Sequence, residues 1–280
     1  MLINLFDSAF DHLYTNDGCY STTMNRKPIN IKYVRRLESF DGISLFTDAF
    51  LFSDISNIKS KYKIGWLLEP IEINPKPYTE FESIKNKFDF CLTYDETLLQ
   101  KYPNKTKLYL PYGSWILEQN QRVYKKTKDI CMIYSNKKFT NGHSLRHEIA
   151  NKIKEIDLYG TGIAKPFLLK DTILAPYKFS IVVENIKTKY GFSEKLMDCF
   201  ATGTIPIYWG CTNIEEYFDI NGILTFNNIE DLKIIIYKIK NNDIKYENLI
   251  KSVINNFNIF KQINSMEDWM YENIFKNLEL

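Results

Sequence analysis

The chain has 280 residues, of which 45% are hydrophobic and 15% aromatic, enough to bury one large core or two modest ones. With 36 basic against 34 acidic side chains the formal charge is +2, so no global field draws the protein to nucleic acid or to an anionic membrane, and any anion site must be local. The cysteines Cys19, Cys91, Cys131, Cys199 and Cys211 show neither C-x-x-C spacing nor a histidine cluster, which argues against structural zinc and points to reduced thiols in a cytoplasmic protein.

The opening MLINLF reads as a strand, and Asp7 stands where a secretion signal needs unbroken apolar sequence. GISLFTDAFL (42–51) and YKIGWLLEP (62–70) are further strand-like runs ended by turn signals. Residues 80–103 read as helix, then the strand DFCLTY, then a short helix starting near Asp95; TKLYLPYG (106–113) adds another strand. This alternation argues for a parallel, doubly wound α/β sheet. From Trp115 to Lys128 the periodicity lapses, and YKKTK (124–128) reads as a solvated linker. A domain junction is therefore expected there, with residues 1–125 in one domain and 126–280 in a second.

The second half repeats the pattern. Strands are expected at DICMIYSN (129–136), IDLYG (156–160), KFSIVVEN (178–185), TIPIYWG (204–210) and GILTF (222–226), with helices through 145–155, 193–203 and 229–241. The last of these has Leu232, Ile235, Ile236 and Ile239 at amphipathic spacing. A final helix follows a capping pair, Ser265 and Asp268, and shows an apolar face of Met266, Trp269, Met270 and Ile274. Apolar runs such as LKIIIYKI fall short of the ~20 residues a membrane helix needs, so membrane contact is peripheral at most.

Chemistry concentrates in VVENIKTKYGFSEKLMDCF. In an open α/β sheet, ligands bind beyond the carboxyl ends of the strands, where helix N-termini point free N–H groups outward. Here a strand ends at Glu184-Asn185 and a helix begins after Ser193, a natural N-cap. Glu194 suits the first turn, but Lys195 opposes the dipole there. A bound diphosphate would explain the cation, with Glu194 accepting a ribose diol; an exposed first turn with solvated charges is the alternative. His143 and His147 lie four apart in HSLRH without the glutamate of a zinc-protease helix, so they are expected at the surface. YGTGIAKP (159–166) has a lone G-x-G and reads as a loop beside the donor site.

The ordered set Tyr177-Lys178-Phe179, Glu184-Asn185, Ser193-Glu194-Lys195 and Thr204-Ile205-Pro206-Ile207 resembles the signature of the family 10 glycosyltransferases, the α1,3/1,4-fucosyltransferases. The resemblance runs more weakly through 131–160 and 66–113. It implies a GT-B arrangement of two Rossmann-like, doubly wound domains facing across a cleft, with the nucleotide sugar held mainly by the C-terminal domain and a glycan acceptor by the N-terminal one. By position, Arg146 and Lys195 would neutralise the donor phosphates, Asn185 would support the donor and Glu194 would take the ribose hydroxyls. Glu69 matches the family's base, with Glu72 the nearby competitor. The implied reaction is inverting transfer of fucose from GDP-fucose to a glycan hydroxyl; another nucleotide sugar, or a silent nucleotide-sugar or glycan-binding protein, are the alternatives. The Asp-x-Asp metal motif is absent from the sequence, and two cations can neutralise a diphosphate, so no metal cofactor is required and a divalent ion would be at most stimulatory. The family usually has a tyrosine three residues before the Glu of its Glu-Lys pair. Here Gly191 stands there and Tyr190 precedes it, so Tyr190 is the candidate for that donor contact.

Overall fold

Short runs rich in β-branched and aromatic residues become parallel strands in both halves of the chain. The computed structural model describes residues 1–8, 28–163, 165, 169–263 and 265–279, with the backbone alone at 14–15 and 18–19. Contacts divide it into two units, Met1–Pro111 with Asn264–Leu280, and Tyr112–Ile263.

In the first unit β1 (Leu2–Phe6) is followed by a two-residue antiparallel ladder of β2 (Tyr14–Thr15) and β3 (Gly18–Cys19). Then come β4 (Lys32–Arg35), β5 (Ser39–Thr47), β6 (Lys59–Trp66), β7 (Phe90–Thr93) and β8 (Thr106–Leu108). The main sheet runs β4-β1-β5-β6-β7-β8, every pair parallel. Parallel strands are covered on both faces, which is why β7 is buried at all four positions. Helices α1 (Lys76–Thr79), α2 (Phe81–Ile84) and α3 (Glu96–Lys101) lie between strands, and Asp95 caps α3 by accepting the Leu98 N–H. Phe6 stacks on Phe46 with centroids 4.5 Å apart in a core shared with Leu51, Phe88 and Leu98.

The second unit holds β9 (Lys128–Ile133), β10 (Asp157–Tyr159), β11 (Tyr177–Val183), β12 (Ile205–Trp209) and β13 (Leu224–Thr225), in the parallel order β10-β9-β11-β12-β13. Its helices are α4 (Asn141–Lys152), α5 (Lys170–Leu174), α6 (Glu194–Thr202), α7 (Ile229–Lys240) and α8 (Ile250–Gln262). Ser193 caps α6, and Gly203 ends it at φ +67°, the left-handed conformation a C-terminal stop requires. Helix α4 begins before the expected 145 because Thr140 caps it, accepting the His143 N–H. Helix α8 carries Ile250, Val253, Ile254 and Phe257 at helical spacing, but the face it buries is Ser252, Val253, Asn256 and Phe260, where the Asn256 side chain bonds both the N–H and the carbonyl of Asp219.

The units divide at Pro111/Tyr112, ahead of the junction expected at 125/126, and the tail from Asn264 groups with the first unit, where 126–280 was expected to hold together. The reason is specific. Ser265 caps α9 (Met266–Asn273), but the Asp268 carboxylate accepts the N–H groups of Ile29 and Asn30 at 2.9 and 2.7 Å, and Met266, Met270 and Ile274 are buried. Periodicity shows which face of a helix is apolar but not which body covers it. Cys91, Cys131, Cys199 and Cys211 are buried free thiols, and the Cys19 side chain lies outside the described residues. Among the described residues no helix is long and apolar enough to cross a membrane.

Candidate functional site

In the second unit the strand order reverses between β9 and β11, and at such switch points the loops part to leave a crevice. A cavity of about 300 Å³ opens there, lined by Tyr134 and Ser135 after β9, Arg146 of α4, Lys170 of α5, and Glu194, Lys195 and Asp198 of α6. Gly160 and Thr161 of the expected 159–166 loop also line it, while Ala164 and Pro166 lie outside the described residues.

Each side chain has an identifiable support. Arg146 is buried, and its Nε and Nη2 donate to the Val183 carbonyl at 2.9 and 2.7 Å, with Nη2 also reaching Asn185 Oδ1 at 2.8 Å. The end of β11 is thereby tied to α4. Gly142 makes the approach possible: its N–H donates to the Asn185 carbonyl at 2.9 Å, and a Cβ there would lie 1.8 Å from the Glu184 carbonyl oxygen. Gly142→Ala is therefore expected to force backbone movement and to lower stability by about 1–3 kcal/mol, as overpacking does; paired thermal melts of the two proteins check this.

Glu184 is buried, and its carboxylate accepts the Ser193 N–H at 3.0 Å and the Ser193 hydroxyl at 2.6 Å. Burial raises its pKa, and Lys195 and the Ser193 hydroxyl partly oppose that. Lys195 Nζ lies 3.2 Å from Glu194 Oε1 and 3.8 Å from Glu184 Oε2. The cation at this helix N-terminus thus has two carboxylates beside it. Burial would raise the Glu194 pKa, but Lys195 and Lys170 outweigh it and hold this carboxyl at about 2. Lys170 Nζ sits 2.7 Å from Asp198 and 3.7 Å from Glu194, and Asp198 also accepts the Ser114 hydroxyl and the Trp115 N–H.

Arg146, Glu194 and Lys195 are accordingly brought together on one cavity, with Asn185 behind Arg146. Tyr190 does not line it; this half-buried residue carries the Lys189 ammonium 5.3 Å over its ring, and Gly191 N–H donates to Thr188 Oγ1. Lys170 and Asp198 escaped the sequence reading. Asp198 had a signal, being one turn beyond Glu194 on a helix that is otherwise apolar there, whereas Lys170 had none. His143, expected at the surface, is buried; its Nδ1 lies 2.7 Å from Thr140 Oγ1, and burial together with Arg146, Lys137 and Lys195 pushes it down to about 4, so it is neutral near pH 7. His147 is half-buried with Nε2 3.0 Å from the Lys137 carbonyl. Among the described residues no group of three His, Cys, Asp or Glu is placed to hold a metal ion.

Glu69 belongs to the first unit, exposed just beyond β6. Its N–H and that of Leu68 donate to the Asp48 carboxylate at 3.3 and 3.0 Å, and its carbonyl accepts the Tyr78 hydroxyl at 2.7 Å. Glu72 is exposed in the turn that follows.

The family model for glycosyltransferase family 10 (fucosyltransferase), C-terminal part, matches residues 123–270. The chain belongs to glycosyltransferase family 10. Among curated proteins, this family 10 chain is 30% identical over 95 residues to alpha-(1,3)-fucosyltransferase FucT of Helicobacter pylori, covering 34% of the chain and 16% of that protein. It is 25% identical over 173 residues to 4-galactosyl-N-acetylglucosaminide 3-alpha-L-fucosyltransferase 9 of Homo sapiens, covering 59% and 45%. The chain spans less than half the length of these relatives. In fold, the family 10 chain matches an alpha1,3-fucosyltransferase solved with GDP at TM-score 0.56 and 14% identity, over 95% of this chain and 92% of that one. It matches Anabaena Alr3699/HepE, solved with UDP-glucose, at TM-score 0.57 and 11% identity, over 84% and 79%. The two parallel α/β sheets are those of a two-domain, Rossmann-like GT-B glycosyltransferase.

Proposed function

We propose that the chain is an inverting fucosyltransferase that moves fucose from GDP-fucose to a hydroxyl of a glycan. One observation carries the reading: a family 10 domain presents Arg146, Lys195 and Glu194 together on a cavity at the switch point of its sheet. As the glycosidic bond breaks, the departing diphosphate gains negative charge, and fixed cations in a partly dry site stabilise it. Arg146 and Lys195 take that role, and their charge makes a metal dispensable. Glu194 stays ionised at neutral pH and accepts the ribose hydroxyls. Asn185 acts on the donor through Arg146. Glu69 takes the proton of the acceptor hydroxyl as that oxygen attacks the anomeric carbon opposite the leaving diphosphate, which inverts the centre. The GDP bound by a solved fold relative favours a guanine nucleotide.

The same transfer with a different sugar is favoured by one feature. Gly191 occupies the expected tyrosine position, and Tyr190 lies outside the cavity lining.

A panel of GDP-, UDP- and CMP-sugars separates these readings by thermal shift. A selective donor at a hundred times its Kd stabilises the protein by about 2.7 kcal/mol. GDP-fucose is expected to raise the melting temperature and, with a glycan acceptor, to release GDP at a rate unchanged by EDTA. Stabilisation by a UDP- or CMP-sugar in its place rules out the donor assignment.

A further inference from the structure

The residues that follow four adjacent parallel strands converge on the segment carrying Glu69. The main-chain carbonyls of Leu67, Leu68 and Glu69 accept three successive phenolic hydroxyls, from Tyr109 at 3.0 Å, Tyr94 at 3.4 Å and Tyr78 at 2.7 Å. Tyr94 directly follows β7 and Tyr109 follows β8, while Tyr78 comes from α1. All three tyrosines are buried, and Tyr109 packs edge-on against both Trp66 and Tyr94. Asp48, the residue after β5, accepts the amides of Leu68 and Glu69. Five side-chain hydrogen bonds thus fix three residues of main chain, although the Glu69 side chain itself is exposed. A solvated loop carboxylate needs no such framework; a group that must meet a reacting proton within a fraction of an ångström does.

We propose that Asp48 and Tyr78 are positioning residues for Glu69, holding the main chain of residues 68–69 so that its carboxylate is set for proton removal. The inference rests on the reading of Glu69 as the base. The charged or titratable groups around Asp48 are Glu69, Tyr78, Tyr94 and Tyr109, with Asp95 acting on Tyr78. Burial most, and the Glu69 charge less, push the Asp48 carboxyl up to about 6 against the Leu68 and Glu69 amides and its own backbone N–H, which lower it. As pH falls through about 6, Asp48 gains a proton, accepts those amides less well and loosens the turn, so part of the acid-side loss of kcat arises at Asp48.

Steady-state kinetics of D48N, Y78F and E69Q test this. Misplacing the base is expected to lower kcat about 10- to 100-fold in D48N, with donor KM unchanged and the step near pH 6 gone from its kcat profile. Y78F, which keeps the ring and removes only the hydroxyl, is expected to lose about 3- to 10-fold, guarding against a folding defect in D48N. The double variant should lose less than the product of the two, since both hold one turn. If D48N and Y78F keep the wild-type kcat and pH profile, even with lower melting temperatures, while E69Q is inactive, the positioning role is overturned and the base assignment stands. An active E69Q overturns both.

Discussion

Glu69→Gln is expected to lower turnover by about 10²- to 10⁴-fold, the range that removal of a general base produces. Glutamine keeps the volume and one carbonyl acceptor but cannot take a proton. The main-chain bonds to Asp48 and Tyr78 do not involve the side chain, so the turn should survive. With the side chain exposed, stability should change by no more than about 0.5 kcal/mol. Donor-induced thermal stabilisation should also be unchanged, because the proposed donor residues lie on the second unit. Glu72→Gln should leave turnover at the wild-type level. The reverse pattern would move the base to Glu72, and full activity in both variants would remove a carboxylate base at this position.

Lys195→Ala is expected to weaken donor binding about 10- to 100-fold, corresponding to loss of one charge-assisted phosphate contact. Isothermal titration with GDP measures this directly, and an unchanged Kd would show that Lys195 does not meet the diphosphate. The substitution should also lower stability by about 1–3 kcal/mol, since the buried Glu184 carboxylate loses its nearby cation. The Lys195 side chain is 29% exposed, which keeps the effect below that of breaking a fully buried pair. The sign of the pH dependence follows from Glu194, lowered from an ordinary 4.5 to about 2. Its contribution to stability is complete above pH 4.5 and is lost as pH falls toward 2. Without Lys195 its folded-state pKa moves back toward the ordinary range, so this contribution shrinks above pH 4.5. Melting temperatures of both proteins between pH 3 and 7 should therefore differ most at the neutral end and converge in acid.

Some of this was written locally. The cap at Ser193 and the stop at Gly203 depend on neighbours within a few residues and stand where the pattern put them, while the strand expected to end at Glu184-Asn185 ends at Val183. The alternation of strand and helix was legible for the same reason, and so was the family: the motif set lies within the matched segment 123–270. The face of α9 was legible too, but not its place. Asp268 reaches the amides of Ile29 and Asn30 across some 240 positions of sequence, and no local period encodes a partner at that distance.

The electrostatics of the site were settled only by the tertiary structure. In the sequence, Lys195 looks like an uncompensated cation at a helix N-terminus; in the fold it lies beside Glu184 and Glu194. Lys170 and Asp198 are 28 residues apart and meet because α5 and α6 pack together. The three tyrosines and Asp48 around residues 67–69 come from separate strand ends and one helix, and only the order β5-β6-β7-β8 brings them to a single turn. The amino-acid sequence by itself determined most of the helices and strands, the caps at Ser193 and Ser265 and the family signature, because those follow from interactions within a turn or a strand. Which charges neutralise one another and what holds Glu69 in place were decided by the parallel sheets, because ion pairs and side-chain hydrogen bonds depend on distance in space rather than on spacing along the chain.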